Sequence, residues 1–229
     1  MRFPAPLVPG RLIRRYKRFL ADCRLDSGEE VTAHVANSGS MLGLATPGAR
    51  VHLSRSADPK RTLAWSWHLV EADGALVGID TGLANRIAAE AIAEGRIPAL
   101  AGYQTLRREV AYGVRSRVDM LLEGAGRPPC YVEVKSVTLS RQAGLAEFPD
   151  AVTARGAKHL GELAAMVGTG ARAVLLYLVQ RGDCHHFEIA ADVDPTYAVA
   201  AQAARAAGVE MLVVHAEVTP AGIEIRSNF

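Results

Sequence analysis

No stretch of the 229 residues approaches twenty uninterrupted apolar positions, so the sequence offers no helix that could span a bilayer. Nothing near the start pairs a long apolar run with a small-residue cleavage site, and prolines at 4, 6 and 9 replace the expected secretory pattern. Cysteine is scarce: Cys23, Cys130 and Cys184 are odd in number, far apart and never in a C-x-x-C pair. That excludes a disulfide-stapled module and fits a reduced, cytoplasmic compartment. There is no excess of one charge: 26 Lys and Arg face 24 Asp and Glu, so no global field attracts a polyanion and any such partner must use local patches. Phosphate-cradling glycine loops of the P-loop or dinucleotide type are absent, which leaves nucleotide cofactors unsupported.

With 49% apolar and 22% charged residues the chain is a folded globule of one large or two small domains. Its period changes once. From residue 12 to about 77, turn formers recur roughly every ten residues, among them Asp26-Ser27-Gly28, Asn37-Ser38-Gly39, Asp58-Pro59 and Asp73-Gly74, and Leu63, Trp65, Trp67 and Leu69 alternate along one face. This is the pattern of a small β-barrel or sandwich, with both tryptophans in its core. Beyond Asp80 the period becomes helical: Leu83, Ile87, Ala88, Ala91 and Ile92 share one side, and Gly95 stands where a C-cap belongs. We therefore expect a barrel at 1–80 and a second domain at 81–229. In the latter we expect strands near 106–112, 117–122 and 130–137, a helix at 153–167, an apolar central strand at 173–179, a helix opened by Asp194-Pro195 and a strand at 211–215.

The sharpest chemical signal is Arg117-Val118-Asp119 followed across a Gly-Pro turn by Val132-Glu133-Val134-Lys135. Residues two apart on a strand share a face, so Glu133 and Lys135 stand side by side, and antiparallel pairing brings Asp119 beside them. Two carboxylates this close repel and favour a divalent cation; hard oxygen ligands with room for water suit Mg²⁺ or Mn²⁺. The Val134 carbonyl would be a further ligand and Lys135 would act on the attacking water, which is the chemistry of phosphodiester hydrolysis. A third carboxylate often completes such a site, and Glu90, at the margin of the first helix, is the candidate, with Glu94 one turn later competing. The plain alternative is a cross-strand ion pair on a solvated face. Helix, antiparallel hairpin with D…ExK, then helix and strand is the layout of the PD-(D/E)xK phosphodiesterase core.

The chain resembles the sugar fermentation stimulation protein A family nearly end to end. The resemblance is carried by Pro9-Gly10-Arg11-Leu12-Ile13-Arg14-Arg15-Tyr16-Lys17-Arg18-Phe19, Ala33-His34-Val35-Ala36-Asn37-Ser38-Gly39-Ser40-Met41, Asn85-Arg86-Ile87, the D…ExK hairpin, and residues 148–160. It implies an α+β chain: an N-terminal OB-like β-barrel followed by a C-terminal α/β PD-(D/E)xK nuclease-like domain with a mixed central sheet. It also implies DNA binding with little sequence preference and a link to sugar (maltose) metabolism. Asp119, Glu133 and Lys135 fall on the family's nuclease motif and Glu90 on its preceding helix. Ser38 departs from it, standing where the family usually has proline.

For the nucleic acid, Arg14, Arg15, Lys17 and Arg18 would contact phosphates while Tyr16 or Phe19 stack on bases. Asn37, with Ser38 and Ser40, would add polar contacts, and Arg155 and Lys158, one turn apart with His159 beside them, would track the backbone. Each has a plainer reading: solvated arginines on a barrel strand, small polar residues at a tight turn, solvated helix residues. Adjacent histidines in Cys184-His185-His186 point to opposite strand faces, which argues against zinc. A non-enzymatic DNA-binding regulator, and RNA in place of DNA, stay open, as does the oligomeric state.

Overall fold

The computed structural model describes residues 1–113 and 116–226. Six strands form the first sheet: β1 (Val8–Tyr16), β2 (Leu20–Leu25), β3 (Glu30–His34), β4 (Arg50–Arg55), β5 (Trp65–Ala72) and β6 (Ala75–Gly78). Their order is β3-β2-β1-β4-β5-β6, and a parallel pairing of β3 with β5 at Ala33↔Trp65 closes the first five into a barrel. This is the five-stranded OB arrangement. Alternation fills it as expected: Leu12, Cys23, Ala33, Val51, Leu53 and Trp67 are buried together. Trp67 lies wholly inside and donates its indole N–H to the Leu69 carbonyl, whereas Trp65 only packs against the cluster.

The chain leaves the barrel through Asp80, whose carboxylate accepts the Gly82 N–H, and enters α1 (Ala84–Ala93). Three antiparallel strands follow, β7 (Thr105–Tyr112), β8 (Ser116–Glu123) and β9 (Cys130–Val137). Then come β10 (Leu139–Gln142), β11 (Leu145–Phe148), α2 (Ala154–Gly168), β12 (Arg172–Val179), β13 (His186–Ile189), α3 (Pro195–Ala206), β14 (Glu210–Thr219) and β15 (Gly222–Ile225). Thr153 caps α2 and Asp194 caps α3, with Pro195 in the first turn. The expected order of helices and long strands is present; β10, β11, β13 and β15 are additional, four residues each, too short to impose a period.

The main sheet runs β15-β14-β12-β9-β8-β7, with β12 parallel to both β9 and β14 and the other pairs antiparallel. The central sheet is therefore mixed. Helix α1 covers one face through Ile87, Ala88 and Ala91, and α2 and α3 cover the other through Leu160, Leu163, Tyr197 and Ala201. Covering on both faces explains why 173–179 is unbroken apolar sequence. None of the described helices is long and apolar enough to cross a membrane.

The two sheets share a core at their junction. Met1, Leu7 and Leu69 pack with α1 and the main sheet, and Gly78 N–H donates to the Gln180 carbonyl at 2.8 Å. Arg181, 1% exposed, fastens the join: its three nitrogens donate to both oxygens of Asp183, to Asp73 in the β5–β6 turn and to the Thr138 carbonyl.

Candidate functional site

The pairing of β8 with β9 runs from Leu122↔Cys130 to Met120↔Val132. At the next position the Asp119 side chain takes over the ladder's work: its Oδ2 accepts the Val134 N–H at 2.7 Å. Its Oδ1 accepts Asn85 Nδ2 from the first turn of α1, also at 2.7 Å. Burial, and then the charge of Glu133, push the Asp119 pKa up, partly offset by these two donors.

Glu133 is 3% exposed on β9. Its Oε1 accepts Lys135 Nζ at 2.8 Å and is also bonded to His159 Nδ1 on α2. Burial alone would raise its pKa, but the His159 hydrogen bond and the Lys135 ammonium outweigh burial and hold it below the ordinary value. The His159 tautomer follows from its other side. Arg155 Nε donates to His159 Nε2 at 3.3 Å, and a guanidinium cannot accept, so Nδ1 carries the proton that goes to Glu133. The second oxygen of Glu133, Oε2, is buried with no hydrogen-bond partner.

These groups open into a cleft of about 550 Å³ walled by both domains. The second domain supplies Asn85, Asp119, Glu133, Val134, Lys135, Arg155 and His159; the barrel supplies Arg18 and the loop 37–39. That loop is pinned to the segment before α2. Ser40 Oγ donates to the Asp150 carbonyl at 2.6 Å and Met41 N–H donates to Asp150 Oδ2 at 3.1 Å. A Cβ on Gly39 would lie 2.5 Å from the same Oδ2, so a larger residue there would have to displace the Asp150 carboxylate from this contact.

The D…ExK trio thus comes together as the hairpin pattern suggests, with the Val134 carbonyl bordering the same cleft. Glu90, expected as the third carboxylate, does not join it. It pairs with the Met1 amine at 2.9 Å and with Arg86 at 2.9 Å, outside the cleft, because the side of α1 it occupies faces the N-terminal segment. The first turn of α1 instead contributes Asn85. Among the described residues, no cluster of three or more His, Cys, Asp or Glu has metal-holding geometry. The side-chain donors are two carboxylates, and the stranded oxygen of Glu133 is what a hard cation would satisfy.

The nucleic-acid candidates divide. Arg18 and Arg155 line the cleft. Lys17 and Arg18 form the tip of the β1–β2 hairpin, both with positive φ (48° and 63°). Asn37 borders the cleft but is 4% exposed and spent on structure: Nδ2 donates to the Ile79 carbonyl and Oδ1 accepts the Gly39 N–H. Arg15 is spent likewise, donating to the carbonyls of Arg18, Asn37, Gly39 and Ser40. Arg14 pairs with Asp22 and lies over the Tyr16 ring, whose hydroxyl also donates to Asp22; both are away from the cleft. Lys158 points to Ser116 and Glu162 on the β8 side, also away. Two residues hold the carboxylates in a role the sequence pattern does not assign them: His159, expected beside Arg155 and Lys158 as a backbone contact, and Asn85, which the sequence offers only within the Asn85-Arg86-Ile87 segment.

Comparison with known proteins agrees with this layout. Residues 13–79 match the family model described as "SfsA N-terminal OB domain", and 82–222 match "Sugar fermentation stimulation protein RE domain". Curated relatives named "Sugar fermentation stimulation protein homolog" are 62% identical in Rhodospirillum centenum and 58% in Ruegeria pomeroyi, each alignment covering 98% of this chain and 97% or 98% of the relative. A solved structure of Pyrococcus furiosus SfsA in complex with Ca²⁺ superposes with a TM-score of 0.89 at 28% identity, over 99% of this chain and 95% of that one.

Proposed function

The chain belongs to the sugar fermentation stimulation protein family, and from that membership and the cleft just described we propose that it is a divalent-metal-dependent phosphodiesterase acting on DNA. The observation that carries the reading is the buried, partnerless Oε2 of Glu133 beside Asp119 and Lys135. A charged oxygen taken from water and left unpaired costs several kcal/mol, a cost that a cation on Glu133, Asp119 and the Val134 carbonyl would offset. Ca²⁺ bound to the Pyrococcus relative supports a divalent ion; Mg²⁺ or Mn²⁺ is our reading for turnover.

When bound, the ion would stabilise charge on the phosphoryl oxygens and make a bound water a better nucleophile. The protein's part is positioning. Asn85 and the Val134 N–H fix Asp119, and His159, its tautomer set by Arg155, fixes Glu133. Lys135 orients the water or neutralises the developing charge. Arg18, from the barrel, and Arg155, from α2, line the cleft and would hold the flanking phosphates.

A second reading, a binder without turnover, draws on the absence of Glu90 from the cleft, which leaves two side-chain carboxylates instead of three. Incubating DNA with the protein in Mg²⁺, Mn²⁺ or EDTA separates the two. Metal-dependent cleavage lost in Glu133→Ala and Lys135→Ala is the expected result. Salt-sensitive binding without cleavage in any metal would establish the binder.

A further inference from the structure

Among the described residues four large apolar side chains are exposed, Phe19, Leu42, Val152 and Val199; one of them borders the cleft, and Phe19 directly follows a residue that does. Val152 lines it. Phe19, 45% exposed, follows Arg18 at the hairpin tip, and Leu42 follows the Ser40-Met41 pair that binds Asp150. Phe19 is also built to stay in place. Its ring stacks on His34 (centroids 6.5 Å apart, planes 16° apart), its N–H donates to the Lys17 carbonyl and its carbonyl accepts the Val35 N–H.

A duplex keeps the faces of its bases stacked, so an exposed aromatic ring meets no base face on it unless a base step is unstacked at a cost of a few kcal/mol. An unpaired strand offers base faces, and an aromatic side chain beside cationic ones is the platform on which they stack. Resting on the phosphodiester reading of the cleft, we propose that the substrate is single-stranded, with one base stacked on the Phe19–His34 pair while Arg18 and Arg155 hold the neighbouring phosphates over Asp119, Glu133 and Lys135. The barrel loop pinned at Asp150 bounds the same cleft.

The test is fluorescence anisotropy of the full chain with a labelled oligonucleotide, single-stranded or annealed to its complement, in Ca²⁺ and at fixed salt. The parent should bind the single strand more tightly. Phe19→Ala should weaken single-strand binding about 5- to 100-fold, by loss of one stacked base, and leave duplex binding within about twofold. Phe19→Trp should keep the affinity and show a fluorescence change on binding that the parent lacks. Equal affinity for both forms, or equal losses on both in Phe19→Ala, would overturn the proposal while leaving the phosphodiester reading intact. Binding to neither form would overturn both and leave the apolar rim to a protein partner. Phe19 is half in water, and a thermal melt matching the parent shows that the variant is folded.

Discussion

Two clusters of buried charge in this molecule, around Arg181 and around Glu133, are finished differently. Around Arg181 all three guanidinium nitrogens have acceptors, drawn from both domains. Around Glu133 one oxygen is used twice and the other not at all. Both clusters bear the cost of removing charge from water. Only the first recovers it with protein groups alone; under the proposed function the second is completed by the bound ion.

If that contrast is right, changes at the two clusters should read out in different assays. Glu133→Ala or Lys135→Ala should cut metal-dependent cleavage at least about 100-fold. Arg181→Met, by contrast, should lower stability by about 3 kcal/mol in urea unfolding and spare the chemistry of whatever remains folded. A large stability loss with Glu133→Ala that left cleavage intact would reverse the assignment. His159→Ala sharpens it, since His159 holds Glu133 while Arg155 holds His159: divalent affinity by titration calorimetry should fall about 10- to 100-fold, and His159→Asn, which can still donate, should recover part of it.

A milder check comes from a third ion cluster, at the surface. Arg141 donates to Glu147 and Asp192 and holds Asp192 at about 2, below its ordinary 3.8. A depressed folded pKa gives stability that is present above the unfolded value and lost as pH falls through the folded one. Asp192→Asn should therefore melt below the parent at pH 6, and the two melting curves should converge between pH 4 and 2. Smallest of all, Cys23 and Cys130, whose thiols burial pushes up to about 12 and about 11, should resist alkylation at pH 8 until the chain is unfolded.

What was legible in the sequence was periodic or local. The change of period at Asp80, the helix start at Asp194-Pro195 and the apolar strand β12 all follow from spacing and residue type. The D…ExK trio was legible for the same reason, because a hairpin makes cross-strand neighbours from sequence neighbours. Partner choice across the fold was not. Glu90 lies at the edge of the apolar side of α1 as the helical wheel puts it, yet its partner comes from the N-terminal segment, which pairs at Arg2↔Gly222 with the far end of the chain. Arg15 and Asn37 look like phosphate ligands by type, but the loop 37–40 needs their hydrogen bonds for itself. No local pattern separates a polar group owed to a turn from one free for a ligand.

The shared core at the junction has a consequence for how anything enters the cleft. Leu69 belongs to the barrel by sequence and to the other domain by packing, and Arg181 and the Gly78–Gln180 bond stitch the same line. The connection is not a hinge, and opening it would expose apolar surface and a buried guanidinium together. On the proposed function, the cleft would then act as a gauge whose width is set when the chain folds, admitting substrate by thickness instead of closing on it.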